Sequence, residues 1–85
     1  MLTIRYFAAA RAARGQSSEQ VDYAGSLGGL VAALGTTYTD RTAGGMTLAQ
    51  VFERCSFLLN GARVDLDAQL GPGDRLDVLP PFAGG

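Results

Sequence analysis

The chain has no histidine, no lysine and no tryptophan, and only one cysteine, Cys55. Each absence excludes a class of chemistry. Without histidine, the usual general base near neutral pH and the commonest transition-metal ligand are both missing. A lone cysteine can form neither an internal disulfide nor a cysteine-based metal cluster. Without lysine, no side-chain amine exists for Schiff-base chemistry or isopeptide attachment. Basic and acidic residues nearly balance, seven against eight for a net charge of -1, and no basic run marks a nucleic-acid surface. No stretch approaches the roughly 20 apolar residues of a membrane span. The start, Met1-Leu2-Thr3-Ile4-Arg5-Tyr6-Phe7, lacks the basic head and long apolar core of a signal peptide, which leads to an expectation of a cytoplasmic protein without partners in nucleic acid or membrane. Asp65, Asp67, Asp74 and Asp77 match no calcium loop and read as solvated turn and strand faces. Metal ligands are therefore expected to be absent, and the chain does not look equipped for hydrolytic or redox catalysis by itself.

What is present is a distinctive end. Leu79-Pro80-Pro81-Phe82-Ala83 runs into Gly84-Gly85. Two prolines fix φ and remove backbone donors, so a strand must stop there. A terminal Gly-Gly leaves the last carboxylate unhindered and thin enough to thread a narrow channel. The expectation is one domain over residues 1–85, with 80–85 a projecting tail of which Pro81 to Gly85 is disordered or lattice-held in the free protein.

The rest of the chain reads as a small α+β domain. Leu2 to Phe7 alternates as a strand, and Ala8 to Arg14 is a short helix stopped by Gly15. Ser18 to Tyr23 pairs back. Ser26 caps a helix whose apolar stripe is Leu27, Leu30, Val31 and Leu34, with a stop expected at Gly35. Gly28 and Gly29 weaken its first turn, so that turn must approach a neighbour closely. Thr36 to Gly45 reads as a loop. Thr47 caps a second short helix with Leu48, Val51, Phe52 and Cys55 on one side. Phe57-Leu58-Leu59, the turn Asn60-Gly61 and Ala62–Val64 form a hairpin. Gly71-Pro72-Gly73-Asp74 is a turn before the last strand, Arg75–Leu79. Both terminal strands are apolar, which predicts that they lie adjacent and parallel in the centre of a mixed sheet of four to five strands, with one main helix across it.

Several segments carry a family resemblance: Tyr6-Phe7-Ala8 with Arg11 and Gly15; Ser26 with Leu27 and Leu30; Leu58-Leu59-Asn60-Gly61; and Leu70, Gly73-Asp74, Leu76 and Pro80-Pro81-Phe82-Ala83-Gly84-Gly85. Together these resemble the ubiquitin-like β-grasp sulfur carriers of the MoaD/ThiS family, above all the small subunits of molybdopterin synthases. The resemblance implies a carrier rather than an enzyme. Its Gly85 would be adenylated at the expense of ATP by an E1-like adenylating enzyme and converted to a thiocarboxylate with sulfur from a donor protein. It would then enter the large subunit of molybdopterin synthase and pass sulfur to a pyranopterin precursor. No cofactor would be bound by the chain itself; the nucleotide is consumed at the partner. Thiazole or cysteine biosynthesis, or ubiquitin-like attachment to proteins, are the alternative outlets for the same tail. Partner contacts would fall on Pro80, Pro81, Phe82, Ala83 and Gly84, with Phe82 anchoring in the channel mouth or packing back on its own sheet. Phe7 and Leu59, if exposed together, would form a docking patch, and Arg11 matches a family position near the partner. Cys55 reads as a buried apolar cysteine rather than a sulfur relay.

Overall fold

The computed structural model describes residues 1–39, 41 and 44–81. Among them, the chain forms β1 (Leu2–Tyr6), α1 (Ala8–Arg14), β2 (Ser18–Val21), β3 (Gly25–Ser26), α2 (Leu27–Thr37), α3 (Leu48–Phe52), β4 (Ser56–Leu59), β5 (Ala62–Val64), β6 (Gln69–Leu70) and β7 (Arg75–Leu79). The main sheet has the order β2-β1-β7-β4-β5, so the last strand lies at its centre with the first beside it. β1 and β7 run parallel, with Ile4 opposite Leu76 and Tyr6 opposite Val78; the other pairs are antiparallel. Parallel neighbours need a long crossover, and here almost the whole chain supplies it.

One face of the sheet makes the core. Leu2, Ile4 and Tyr6 from β1, Leu76 and Val78 from β7, and Phe57 from β4 are all buried against Leu27, Leu30 and Leu34 of α2 and Leu48, Val51 and Phe52 of α3. Both helices are capped as the sequence requires. The Ser26 hydroxyl accepts from the Gly29 N–H, and Thr47 and Gln50 form a reciprocal capping box. Gly28 donates its N–H to the Leu66 carbonyl at 2.9 Å, and a Cβ on Gly29 would lie 2.6 Å from the Tyr23 hydroxyl, so the first turn of α2 is indeed closely approached.

Gly35 departs from its expected role. α2 continues through it to Thr37, which also shortens the expected loop. A Cβ at Gly35 would sit 2.9 Å from Ala49 Cβ, so this glycine serves a close crossing of α2 and α3 instead of ending a helix. The hairpin is as expected: Asn60 and Gly61 take φ of 51° and 88°. Asn60 also ties the turn to β7, accepting from the Arg75 N–H and donating to Asp74, both at 2.9 Å. The small β3–β6 ladder was not legible from alternation, since each strand has only two residues.

A partly buried polar network closes the far edge. Arg14 reaches from α1 with two hydrogen bonds to Glu19, at 2.7 and 2.9 Å, and the Tyr6 hydroxyl donates to the same carboxylate at 2.6 Å. The Arg14 guanidinium lies 3.7 Å from the centre of the Tyr38 ring. Burial alone would push the Glu19 carboxyl up; the hydrogen bonds from Arg14 and Tyr6 and the Arg14 charge outweigh it and hold the group below its ordinary range.

Candidate functional site

The central strand decides where the chain's last segment starts. β7 is held on both sides, by β1 and β4, up to Leu79. Pro80 and Pro81 then end the ladder because neither can donate to it. Pro80 is half-buried and Pro81 exposed. Both line a shallow groove of about 150 Å³ with Ala9, Met46, Val51 and Arg54, so the root is cradled by the start of α1 and by α3. Phe82, Ala83, Gly84 and Gly85, and with them the expected disorder of the tail, lie outside the described residues.

The other singled-out residues are only partly brought together. Phe7 lies at the same end of β7 as the root, its N–H donating to the Val78 carbonyl at 3.3 Å. Its ring is exposed on the face of the sheet opposite the helices, with the Arg5 guanidinium 5.5 Å from its centre. Arg11 is exposed on α1. Leu59 is elsewhere. It pairs with Leu76 near the beginning of β7 and packs half-buried against the core, facing the helices. Phe7 and Leu59 therefore occupy opposite faces and do not form one patch. Strand alternation explains the split: Leu58, not Leu59, is in register with Asp77 on the open face.

That open face holds what the sequence reading missed. Asp77 is buried, with its side chain 6% exposed, whereas a solvated face was expected. Arg5, directly opposite it on β1, donates from Nε and from Nη2 at 2.7 and 2.9 Å, and Arg75 Nε approaches to 3.7 Å. The Arg5 hydrogen bonds hold the Asp77 carboxyl below its ordinary range against the opposing effect of burial, and the charges of Arg5 and Arg75 add to the lowering. The parallel β1–β7 register, once known, would have revealed the pair.

Among the described residues, no group of three or more His, Cys, Asp or Glu side chains could hold a metal. Cys55 is half-buried rather than buried; burial pushes its thiol up to about 11, and its Sγ donates to the Val51 carbonyl at 3.1 Å, so at neutral pH it is an un-ionised thiol turned back to α3. Among the described residues, no helix is long and apolar enough to cross a membrane.

A mixed five-stranded sheet with a dominant helix across one face, its parallel first and last strands adjacent, is the ubiquitin-like β-grasp. Within that class the chain belongs to the ThiS family, whose profile matches residues 4–85, and it is thus a sulfur-carrier protein of the ThiS/MoaD superfamily. Solved structures agree. The HVO 2177 protein of Haloferax volcanii is 30% identical, with 99% of this chain and 85% of that chain covered at a TM-score of 0.73. Subunits 1 and 2 of the molybdopterin-converting factor of Helicobacter pylori 26695 form a complex that includes a match at 25% identity, covering 99% and 97% at 0.66. SAMP1 of Haloferax volcanii shares the fold at 22% identity, covering 99% and 98% at 0.68. No curated protein matches the chain.

Proposed function

We propose that this carrier works through the carboxylate of Gly85. The observation that carries the reading is the rigid root: the central strand of the sheet runs into Pro80-Pro81, four residues before Gly85, within a chain matched to its family through residue 85. At neutral pH a main-chain carboxylate is ionised and a poor electrophile. An E1-like adenylating enzyme would let a Gly85 oxygen attack the α-phosphate of ATP, with pyrophosphate leaving. The terminal sulfur of a donor protein's persulfide would then attack the acyl carbon as AMP leaves, and a second thiol would cleave the resulting acyl disulfide, leaving a thiocarboxylate on Gly85 and a disulfide on the donor. The domain supplies a stable handle, and acid–base groups come from partners, since no histidine is available in this chain.

Two acceptors fit this activation step. In one reading the sulfur goes to a small molecule, a pyranopterin precursor held by the large subunit of molybdopterin synthase. Pro80-Pro81 and the likeness to one member of the two-subunit Helicobacter complex support it. In the other, Gly85 is joined to amines of other proteins. Its support is the likeness to two structures described as SAMP1 and as small archaeal modifier protein 1, at 22% and 20% identity. The likeness to modifiers gives the second reading the wider support, and activation of Gly85 is common to both. Incubation with an E1-like enzyme, ATP and a sulfur source, followed by intact mass, tests the shared step. Adding either the large synthase subunit with pterin precursor or a lysine-bearing acceptor protein then separates the outlets.

A further inference from the structure

Every basic side chain in this protein is an arginine: Arg5, Arg11, Arg14, Arg41, Arg54, Arg63 and Arg75. Geometry accounts for some of them. Arg14 and Arg5 each grip a carboxylate with two nitrogens, which a lysine ammonium cannot do in the same way. Arg41 donates to the Gly45 carbonyl, and Arg75 approaches Asp77. Arg11, Arg54 and Arg63 are different. All three are exposed, and among the described residues their side chains make no hydrogen bond or ion pair. For solubility and charge, lysine would serve equally there. What lysine would add is a nucleophile, since its amine can lose a proton whereas a guanidinium stays charged and inert.

The placement of these residues gives that difference a consequence. Arg54 lines the same groove as Pro80 and Pro81. Arg11 lies on α1, the helix whose Ala9 lines the same groove. Residues 81–85 span at most about 17 Å when extended. The described body measures 33 × 28 × 20 Å, so the terminal carbonyl can reach a large share of the chain's own surface. A group on so short a tether meets surface groups at an effective concentration of the order of millimolar. An activated Gly85 would therefore acylate any nearby amine of its own chain, or of a second copy.

We infer that the lysine-free surface leaves the chain no side-chain amine for its own activated end to acylate; its one amine, at Met1, lies beside Gly73 at the opposite end of β7 from the root. Electrophilic Gly85 is thereby reserved for the sulfur donor or for a foreign acceptor, and branched chains of the carrier through its side chains are excluded. This rests on the activation of Gly85 proposed above. The reaction avoided is aminolysis. A neutral lysine Nζ attacks the Gly85 carbonyl carbon, a C–N bond forms, the bond to the leaving group breaks, and the amine's proton passes to water.

The test uses the full chain carrying a chemically installed thioester at Gly85, so that it does not depend on any activating enzyme. The unsubstituted chain is compared with Arg54→Lys, Arg11→Lys and Arg63→Lys at mildly alkaline pH, and products are read by intact mass and peptide mapping. Thermal melting checks that each variant is folded. The unsubstituted chain should give hydrolysis, while Arg54→Lys should give at least roughly tenfold more amide, as an internal ring or a covalent dimer mapped to residue 54. Arg11→Lys should follow, and Arg63→Lys, on the distant edge strand β5, should react mainly between copies. Equal amide formation in the unsubstituted chain, or hydrolysis alone in all three variants, overturns the inference. A parallel incubation with E1-like enzyme, ATP and sulfur source scores thiocarboxylate formation. Its failure alone would fault the activation reading and leave the thioester result standing.

Discussion

Replacing Glu19 by Gln isolates the partly buried network at the sheet edge. The Glu19 and Arg14 side chains are 13% and 10% exposed, so the charge left on Arg14 could not be fully hydrated. Gln keeps an acceptor for Tyr6 and for one nitrogen of Arg14 but loses the charge and the second strong acceptor. Hydrogen bonds to charged groups contribute about 1.5–3 kcal/mol. Unpairing a fully buried ion costs about 3–5 kcal/mol, an upper bound here because Tyr38 still stacks on the guanidinium. A loss of about 2 kcal/mol is therefore expected. In a domain of this size each 1 kcal/mol moves Tm by about 4–8 °C, giving a fall of roughly 8–16 °C at pH 7. The pH dependence follows from the lowered folded-state pKa of Glu19. A carboxyl depressed on folding contributes its stability above its unfolded value, and that contribution fades as pH falls through the folded value. The Tm gap between Glu19→Gln and the unsubstituted chain should thus narrow on acidification from pH 5 to pH 2. Asp77, also depressed, titrates in both proteins and cancels in the difference. Melting by circular dichroism across this range is the assay. A gap under about 3 °C at pH 7, or one that widens on acidification, would refute the reasoning.

Other expectations test the packing and the cysteine. Gly35→Ala should cost about 1–2 kcal/mol, because overpacking against Ala49 outweighs the gain in helix propensity, and Ala49→Gly should restore stability in that background; chemical denaturation reads both. Asn60→Ala should lose about 1–2 kcal/mol by the same measurement, since it removes the side-chain acceptor for the Arg75 N–H and leaves alanine at a φ of 51°. Cys55 should react with a thiol reagent at pH 8 roughly 100-fold or more slowly than a free cysteine, with the rate still rising toward pH 11; a rate matching a free thiol would mean the site is open.

The fold was legible where local and global signals agreed. Alternation placed β1 and β7, Ser26 and Thr47 placed the helix starts, and Asn60-Gly61 placed the hairpin. What stayed hidden depends on pairing between distant residues. Gly35 carries the composition of a stop, yet its job is set by Ala49 on another helix. Asp77 looks like any surface aspartate until the parallel register puts Arg5 opposite it, 72 positions away in sequence. Leu59 and Leu58 are one residue apart, and only the register of β4 on β7 tells which of them faces the helices. At the candidate site, the double proline announced the root, but the groove beneath it is assembled from α1 and α3 and has no signature of its own.

Intact-mass spectrometry after incubation with an E1-like enzyme, ATP and a sulfur source tests the chemistry of the Gly85 carboxylate most directly. The unsubstituted chain should gain the mass of one sulfur less one oxygen, mapped to Gly85. Variants lacking Gly85, or extended by one residue beyond it, should melt at nearly the same temperature and gain nothing. An extension moves the reacting carbon by up to about 3.5 Å, and a misplacement of about 1 Å already costs on the order of 100-fold. Equal sulfur incorporation in the extended variant, or incorporation at Cys55 instead, would contradict the account.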